Sequence, residues 1–407
     1  MNPDTVRIID KYIGQLMCFI LTIHHYVLAV FLRKHTTPNI QKILFIKLVE
    51  QGATVLAYTA MQEAINSYGR QNVFFCVFEE NRAILDVMDM IPSKNIFVVR
   101  HSNIFIFCRD ILKLIWFTRR IGIDATIDME FFSRASAILS YLVGARCRVG
   151  LHRFSCEAPY RGDLTTHRMQ YNPYIHTAKT YLLLVKCLEM DPQDLPLPKY
   201  PSGDLSLSAP SFVPHEYEKN KLVSRLKNEG IMLLQGPVIL LNPNASDMLP
   251  LRKWPQKYFI QLARMILDAY PASILIITGT ASERESGCSI CREIASSRVF
   301  NLAGGTTMRE LLTLYTMADI LVTNDSGPGH FASLTDIHNI VLFGPETPQL
   351  FGAIGGNYHF ISAYLSCSPC VNVYNHRFSP CKHNRCMNAI TVDTVMNVIK
   401  KCIDYRP

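Results

Sequence analysis

One short segment, Asn324-Asp325-Ser326-Gly327-Pro328-Gly329-His330, combines small residues with one carboxylate and one imidazole. It follows the apolar run 319–323 and precedes a predicted helix that begins near Gly327. A strand that leads through small residues into a helix favours an anion site, because the first N–H groups of the helix have no partner within it. Asp325 and His330 could then orient a sugar and a phosphate. The same segment is also compatible with an ordinary strand-to-helix turn.

The elements that would position this segment alternate between short apolar strands and helices. The pattern predicts strands at 43–48, 72–78, 96–100, 125–129, 238–242, 273–278, 299–302, 319–323 and 339–343. Such strands, separated by helices, are typical of a parallel sheet covered on both faces. Helices are predicted at 53–68, 177–189, 256–269, 307–317 and 392–403. Residues 148–176 are predicted to form a functional loop.

Length and composition predict two domains, since 407 residues can bury two cores. Pro and Ser are frequent from residue 191 onwards, which is typical of a linker. We therefore divide the chain into an N-terminal apolar, membrane-associating helix at 1–37, a first Rossmann-like domain at 38–190, a linker region at 191–235, a second Rossmann-like domain at 236–390 and a C-terminal helix at 391–407.

The formal net charge of +8 suits an anionic ligand or a membrane surface. No basic block, zinc-finger pattern or RNA-binding aromatic signature accompanies it, so a nucleic-acid partner is not expected. The 13 cysteines are odd in number and scattered along a long chain. This favours reduced thiols in the cytoplasm over a disulfide framework.

An apolar run at 13–32 is the one candidate for contact with a membrane. It is long enough to span a bilayer but contains Gln15, His24 and His25, and Arg33, Lys34 and His35 follow it. Three interpretations stay open: a helix lying in the interface, a spanning helix, and a helix packed on the body of the protein. The central polar groups penalise a span, so we favour the interfacial helix.

Six motifs in the second half of the chain occur in a characteristic order. They are Leu241-Asn242-Pro243-Asn244-Ala245, Lys253-Trp254-Pro255, Ile277-Thr278-Gly279, Asn301-Leu302-Ala303-Gly304, the 324–330 segment and Phe343-Gly344-Pro345. In this order and spacing they resemble glycosyltransferase family 9, the lipopolysaccharide heptosyltransferases. The resemblance is strong over about 238–398 and weaker over about 40–190. It implies an α/β protein of the GT-B fold, in which two Rossmann-like domains face a cleft and the second holds most of the donor.

The resemblance implies inverting transfer of a sugar, such as heptose from ADP-heptose, without a metal or other cofactor. A nucleotide-sugar donor leaves a diphosphate, whose developing negative charge must be met by the protein. Lys253 and the segment from Ser326 to His330 could meet that charge. Small or polar strand-end residues could contact the rest of the donor: Asn244, Ala245, Ser246, Thr278, Gly279, Glu283, Leu302, Ala303, Gly304, Gly327 and Pro328. Glu283 is equally compatible with a first-turn helix acid.

The first domain departs from the family at one position. The family has Gly-Asp after its first strand, and that Asp is the favoured general base. This chain has Gly52 and then Ala53, with Glu50 in the same loop. We predict Glu50 as the base, because a displacement by a hydroxyl needs a carboxylate to accept its proton. Asp325 and Glu130 are the alternatives, and Lys47 matches a family lysine but could simply extend towards solvent.

Polar residues that could bind an anionic or polyhydroxyl acceptor also occur in the first half. They follow the strand at 125–129 or lie in the region 148–176, and they are Glu130, Arg134, Arg161, His167 and Arg168. Each is also compatible with a solvated surface. The predicted acceptor is a lipopolysaccharide core or a related membrane-linked glycan at the inner face of the cytoplasmic membrane.

Two cysteine pairs near the C-terminus, Cys367-x2-Cys370 and Cys381-x4-Cys386, could form a structural zinc site, with His376 and His383 nearby. Free thiols are the alternative, and Cys288-x2-Cys291 lies in a predicted helix. No pattern indicates a catalytic metal. Two further alternatives for the whole chain stay open: another nucleotide-sugar donor, and a catalytically silent nucleotide-sugar-binding protein, which the alanine at position 53 would explain.

Overall fold

The structure is a computed structural model that describes residues 8–31, 39–154, 158–201, 205–233, 236–245, 249–355, 357–375 and 377–404. The chain forms two compact units that divide between Leu207 and Ser208. Ser246, His376 and the basic residues after the apolar run, Arg33, Lys34 and His35, lie outside the described residues.

The first unit is built from strands and helices that alternate along the chain. Its strands are β1 (Ile43–Ile46), β2 (Val73–Phe78), β3 (Ile96–Val99), β4 (Ala125–Asp128), β5 (Cys147–Leu151) and β6 (His167–Met169). Its α-helices are α1 (Gln15–Phe31), α2 (Gln51–Leu56), α3 (Tyr58–Tyr68), α4 (Arg82–Met88), α5 (Ile104–Ile121), α6 (Arg134–Leu142) and α7 (Thr177–Lys186).

The second unit repeats this alternation. Its strands are β7 (Val238–Asn242), β8 (Ile274–Ile277), β9 (Val299–Asn301), β10 (Ile320–Asn324), β11 (His338–Phe343) and β12 (Tyr358–Ser362). Its α-helices are α8 (Glu216–Asn228), α9 (Gln256–Ala269), α10 (Arg284–Ile294), α11 (Met308–Tyr315), α12 (Gly327–Ala332), α13 (Pro348–Phe351), α14 (Arg385–Asn388) and α15 (Val392–Asp404).

Both sheets are parallel and share one strand order. The first runs β3-β2-β1-β4-β5-β6 and the second β12-β11-β10-β7-β8-β9. Each order reverses where two central strands pair: Ile46 lies opposite Asp128, and Thr323 lies opposite Asn242. In open α/β sheets, ligands bind at the carboxyl ends of the strands next to such a reversal. The topology therefore predicts one site after β1 and β4 and another after β7 and β10.

The cores follow from the apolar strands. All residues of β1, β4, β7, β8 and β10 are buried, as expected for strands covered on both faces. The C-terminal helix α15 belongs to the second unit. Its residues Val395, Met396 and Ile399 join the core formed by β10, β11 and α9.

The two Rossmann-like parallel sheets predicted from the sequence are confirmed, with a few local differences. The region 148–176, predicted to be a loop, contains most of β5 and all of β6, and β12 was not predicted. The helix predicted at 53–68 is divided into α2 and α3 at Ala57. The stretch 191–235, predicted to be a linker, contains α8, whose Glu218 pairs with Arg309 of the second unit.

Helix α1 packs on α6 of the first unit through specific contacts. The Asp10 carboxylate accepts hydrogen bonds from the Arg134 and Ala135 amides, at 3.1 and 3.2 Å, and pairs with the Arg134 guanidinium. Cys18 is buried against Ala137 and Leu164. Among the described residues, no helix has both the length and the apolar character needed to cross a bilayer.

Candidate functional site

Asn324, the last residue of β10, connects three loops at the reversal point of the second sheet. Its side-chain amide donates to the carbonyls of Pro243 and Asn244, at 3.0 and 3.1 Å. Its side-chain oxygen accepts the Trp254 amide at 2.9 Å. The loops after β7, before α9 and after β10 therefore meet where the topology predicts a ligand.

The predicted donor residues of neighbouring loops come together at the same edge. A Cβ placed on Gly279 would lie 2.8 Å from the Glu283 carboxylate, 3.1 Å from the Asn244 amide nitrogen and 3.4 Å from Ala303. Gly304 has a φ of +68°, and a Cβ there would lie 2.5 Å from the Ala281 Cα. Only glycine fits position 304 without a shift of the backbone, whereas a Cβ at position 279 would displace the Glu283 side chain.

The polar groups around Gly279 differ in their hydrogen bonding. The Asn244 amide nitrogen is buried and has no hydrogen-bond partner among the described residues, which a buried polar group normally has. The Glu283 carboxylate accepts the Thr280 amide at 2.7 Å in a capping box. Glu283 thus acts as a helix cap whether or not it also contacts a donor. Thr278, Ala245 and Leu302 are buried beside the cluster.

The segment 325–330 follows β10 as predicted. Ser326 is extended and precedes α12, which is only six residues long and has Pro328 in its first turn. Asp325, Ser326, Gly329 and His330 line a narrow depression whose volume accessible to water is about 0 Å³. Typical ligand pockets have ~300–1,000 Å³. The depression as it stands therefore has no room for a diphosphate.

A buried charge cluster supports this segment. The Arg252 guanidinium lies 3.2 Å from the Asp325 carboxylate and also pairs with Glu346. Arg377 lies 3.5 Å from the second oxygen of Glu346. Burial raises the pKa of Asp325 and raises the pKa of Glu346 to about 7, although Arg252 opposes both shifts. Burial lowers the pKa of Arg377 to about 10.

Lys253 lies next to this cluster and is half-buried. Its backbone is held by the Asn384 side chain, which donates to the Lys253 carbonyl at 3.2 Å. The following Trp254 is buried and donates its indole N–H to the Ile390 carbonyl at 2.9 Å. The loop that carries Lys253 is therefore fixed from both sides, and the preceding Arg252 pairs with Asp325.

At the reversal point of the first sheet, Lys47 lies between two carboxylates. Lys47 is fully buried, and its ammonium lies 2.9 Å from Glu130 and 3.7 Å from Glu50. The other Glu130 oxygen accepts the amides of Leu48 and Val49, at 2.6 and 3.1 Å. Both Glu130 oxygens are thus engaged in holding the loop.

Glu50 differs from Glu130 in exposure and backbone conformation. Its side chain is 22% exposed. Its φ of 70° lies in the left-handed region, which costs a non-glycine residue free energy and is found mainly where function requires it. Gly52 and Ala53 follow in α2, and Gly52 is buried. Of the two glutamates beside Lys47, Glu50 is the one that a substrate could reach.

The other predicted acceptor-side residues are mostly engaged by partners within the fold. Arg161 is buried in an ion pair with Asp128, and Arg134 pairs with Asp10 and donates to the Tyr160 carbonyl at 2.8 Å. His167 is buried on β6, and burial lowers its pKa. Arg168 is partly exposed and lies 3.3 Å from Asp163. These contacts give each residue a role in the fold, and acceptor binding by them stays a prediction.

The four C-terminal cysteines are free thiols. Among the described residues, no three of their sulfur atoms lie within 4.8 Å of one another. Cys370 and Cys381 are near enough to Cys386 to raise its pKa further, after the larger effect of burial. Cys288 and Cys291 lie on helix α10, as predicted. Zinc binding by the C-terminal cysteines stays a prediction.

Sequence reasoning missed Arg252 and Glu346 and assigned no role to Asn324. Glu346 follows the Phe343-Gly344-Pro345 motif at the end of β11, and Arg252 precedes Lys253. Glu346 could have been identified by its position after a strand, since ligands bind at the carboxyl ends of the strands in parallel sheets. Their mutual pairing could not be read from positions 94 residues apart.

The comparisons with known proteins agree with this arrangement. The family model described as glycosyltransferase family 9 (heptosyltransferase) matches residues 114–378, which is more than half of the chain. The chain belongs to glycosyltransferase family 9. The earlier expectation of this family, made from the six motifs, is confirmed.

Family 9 relatives are found by sequence and by structure. Lipooligosaccharide heptosyltransferase 2 of Campylobacter jejuni serotype O:6 is 30% identical over 190 residues, which are 44% of this chain and 57% of that protein. The chain thus matches little more than half the length of this relative. Lipopolysaccharide heptosyltransferase 2 of Salmonella typhimurium is 29% identical over 28% of this chain and 33% of that protein.

Solved structures share the fold over nearly the whole chain. ADP-heptose lipopolysaccharide heptosyltransferase II of Escherichia coli covers 89% of this chain and 98% of its own, with a TM-score of 0.64 and 19% identity. A family 9 glycosyl transferase of Veillonella parvula covers 90% and 98%, with a TM-score of 0.67 and 14% identity. At these identities the likeness shows the GT-B fold expected from the sequence.

Proposed function

We propose that this family 9 protein transfers heptose from ADP-heptose to a hydroxyl of a lipopolysaccharide core or related membrane-linked glycan. Transfer inverts the anomeric carbon and needs no metal ion. The observation that carries the proposal is the convergence of Asn244, Gly279, Glu283 and Ala303 at the reversal point of the second sheet. Asn244, Gly279 and Ala303 come from the family motifs, and all four residues meet where α/β sheets bind nucleotides.

The names of similar proteins support ADP-heptose as the donor. One similar solved structure is an Escherichia coli heptosyltransferase with ADP, at 14% identity and a TM-score of 0.60. The curated relatives are named as heptosyltransferases of lipooligosaccharide or lipopolysaccharide. We extend these properties to the present chain because its donor-side motifs occupy the same carboxyl edge in the described structure.

The chemistry assigns the donor to the second unit. Departure of ADP places additional negative charge on the diphosphate, and a preorganised cation stabilises that charge without reorganisation. Lys253 is the cation in this role, together with the backbone amides at the start of α12. Arg252 is already neutralised by Asp325 and Glu346, so its task is to hold the segment that follows β10.

The first unit supplies the base in this proposal. The acceptor hydroxyl attacks the anomeric carbon, the bond to the diphosphate breaks, and the hydroxyl proton moves to the Glu50 carboxylate. The Lys47 ammonium lies 3.7 Å from the Glu50 carboxylate and 2.9 Å from the Glu130 carboxylate. We assign the proton to Glu50 because its side chain is the more exposed of the two, at 22% against 8%.

One observation favours a different class of protein. Ala53 stands where the family has its aspartate, so the chain could bind a nucleotide sugar without turning it over. A thermal-shift screen of ADP-, UDP- and GDP-sugars identifies the donor, because a bound ligand stabilises the folded state. Release of ADP from ADP-heptose with a core acceptor would then support transfer, and binding without release would support the silent protein. Turnover with another nucleotide sugar would keep transfer and replace the donor.

Lys253→Ala is expected to weaken ADP binding by ~1–3 kcal/mol, the usual loss for a charge-assisted contact. Isothermal calorimetry with ADP measures this. The control is Lys257→Ala, an exposed lysine four residues later in helix α9, which should leave the affinity unchanged. Equal affinities of the two variants would remove Lys253 from the diphosphate site.

We further propose that the first unit binds an anionic phospholipid surface through α1 and α5. Helix α1 exposes Tyr12 just before its start, and then Leu16, Phe19 and Ile23. Helix α5 exposes a face that is both apolar and basic: Phe105, Arg109, Leu112, Lys113, Trp116 and Arg120. This combination is typical of helices that lie in a bilayer interface.

The charge on the exposed face of α5 favours anionic lipids as its binding partner. Asp110, its one acid, is buried and pairs with Arg100 at 2.8 Å and Arg109 at 3.3 Å. The exposed face is therefore positive, and the Arg120 guanidinium lies over the Trp116 ring at 5.1 Å. Anionic headgroups complement such a surface, each basic residue contributing ~1 kcal/mol near the membrane.

The double variant Leu112→Ser/Trp116→Ser is expected to lower binding to phosphatidylglycerol vesicles roughly 10- to 100-fold, since two apolar side chains lose their burial in the interface. Vesicle co-sedimentation at low and high salt measures this. Tyr217→Ser, an exposed aromatic residue of α8, is the control. Unchanged vesicle binding with dissociation of a dimer in light scattering would instead make this face an interface between copies.

A further inference from the structure

Three side chains that could bind a metal ion meet at the amino-terminal edge of the second sheet. His338 is the first residue of β11, His359 is the second residue of β12, and Cys402 lies in the last turn of α15. Their nearest ligand atoms all lie within 4.8 Å of one another. None of these residues belongs to a motif of the family or to the proposed donor site.

The strand register places both imidazoles on one face of the sheet. His359 pairs with Ile340, and His338 shares a face with Ile340 because side chains alternate along a strand. That face carries the core residues Ile340 and Ile361, on which helix α15 packs. Cys402 reaches the same face from α15 and is 5% exposed. The two imidazoles and the thiol are therefore brought together by the packing of α15 on the second sheet.

Two of the three distances between the ligand atoms match a tetrahedral zinc site, and the third is within 4.8 Å. His338 Nδ1 and His359 Nε2 are 3.4 Å apart, and Cys402 Sγ is 3.6 Å from His359 Nε2. Tetrahedral geometry with the usual Zn–N and Zn–S bond lengths requires separations of about 3.3 Å between two nitrogens and about 3.6 Å between nitrogen and sulfur. The contact between the two imidazoles is long for a direct hydrogen bond between neutral groups.

We propose that His338, His359 and Cys402 bind one Zn²⁺ ion, with water as the fourth ligand. Two imidazoles and a thiolate form a ligand set that suits zinc. The Cys402 thiol gives up its proton on binding, as a zinc ligand must. The ion joins the last turn of α15 to β11 and the edge strand β12.

The place of the site in the fold makes it structural. His338 begins β11, whereas the loop beside Glu346 follows its other end, and six residues of a parallel strand span about 17 Å. Zinc at His338 is therefore remote from the segment proposed to bind the diphosphate. The inference stands independently of the proposed glycosyl transfer.

The test is metal binding by the full-length chain under reducing conditions. Elemental analysis after zinc loading and desalting is expected to find one zinc ion per chain. Zinc is expected to raise the midpoint of thermal unfolding, because it binds the folded state. Cobalt, as a spectroscopic substitute, should give a thiolate-to-cobalt charge-transfer band and the intense visible absorption of tetrahedral coordination.

Single variants locate the ion. Cys402→Ser and His359→Gln should each weaken zinc binding roughly 100-fold or more, because each removes one of three protein ligands. Cys402→Ser should also abolish the thiolate-to-cobalt band. The matched control is Cys288→Ser, which changes an exposed thiol of helix α10 and should leave both signals intact.

Two outcomes would overturn the proposal. Absence of stoichiometric zinc in the parent protein would show that the three groups are joined by hydrogen bonds alone. Loss of zinc in Cys370→Ser but not in Cys402→Ser would move the ion to the C-terminal cysteine pairs. Thermal unfolding of the metal-free proteins checks that the variants fold. If Cys402→Ser does not fold, His359→Gln, which changes a half-buried residue, decides whether zinc binds here.

Discussion

Replacing Glu50 with glutamine is expected to lower turnover about 10²–10⁴-fold, the usual effect of losing a positioned general base. The amide keeps the shape of the side chain but cannot take the acceptor proton. ADP affinity should be unchanged, because Glu50 belongs to the first unit and the proposed donor residues belong to the second. Steady-state kinetics together with ADP calorimetry separates the two effects.

The matched control for Glu50 is Asp89→Asn. Asp89 is also an acidic residue with a left-handed backbone, at φ 44°, and it is exposed in an ion pair with Arg70. Its amide variant should turn over like the parent. Parent-like turnover of Glu50→Gln would make Glu50 a loop acid held for its backbone conformation, and Asp325 or Glu130 would then be tested in the same way.

Replacing Arg252 with methionine is expected to destabilise the second unit by ~3–5 kcal/mol, the cost of leaving buried charge unpaired. Asp325 and Glu346 are 5% and 1% exposed in their side chains, so solvent cannot replace the guanidinium. For a unit of this size, the change corresponds to a fall of roughly 6–20 °C in the midpoint of thermal unfolding. Calorimetry measures this midpoint, and ADP binding should weaken as the 325–330 segment loses its support.

The effect of Arg252→Met should also depend on pH. Burial raises the pKa of Glu346 to about 7 in the folded parent, above that of an exposed glutamate. An acid with a raised pKa contributes stability at low pH, and this contribution is lost as the pH rises through the folded value. The penalty of Arg252→Met is therefore expected to be larger at pH 8 than at pH 6, since Glu346 is neutral more often at the lower pH.

Arg309→Met is the matched control for Arg252→Met. Arg309 also donates two hydrogen bonds to a carboxylate, that of Glu218, at 2.7 and 2.9 Å, but its side chain is 42% exposed. Exposed pairs contribute ~0–1 kcal/mol. Adding Asp325→Asn and Glu346→Gln to Arg252→Met should recover part of the loss by removing the unpaired charges. Equal destabilisation by the two single arginine variants would show that the Arg252 cluster is solvated.

The sequence was sufficient for the architecture because both sheets are built from strands buried on both faces. A strand such as Ile43–Ile46 is apolar throughout, so its pattern is visible without a partner. Strands β5 and β6 were missed because they contain arginines that the pattern predicts to be exposed. Arg148 is buried instead, and the carbonyls of Leu164 and Ala145 accept its guanidinium hydrogens.

In the candidate site, too, some features could be predicted from the sequence and others could not. Strand-end position was enough to predict that Asn244, Gly279 and Ala303 lie at one edge of the sheet, because the carboxyl ends of parallel strands share that edge. Charge alone did not show which of the predicted acceptor-side residues have partners within the fold. Arg134 is neutralised by Asp10, 124 residues earlier in the chain, and Arg161 by Asp128. The sequence shows each charge but not the partner that engages it.

The amino-acid sequence by itself determined the family, the two Rossmann-like sheets and the loops that carry the donor motifs. Local spacing controls all of these, since strand periodicity and glycine positions act within a few residues. Only the tertiary structure decided which charged groups are buried and which reach the surface. The Lys47 ammonium contacts both Glu130 and Glu50, of which Glu50 is the more exposed, and His338, His359 and Cys402 meet from two strands and a helix. Such groups become neighbours only through packing between distant parts of the chain.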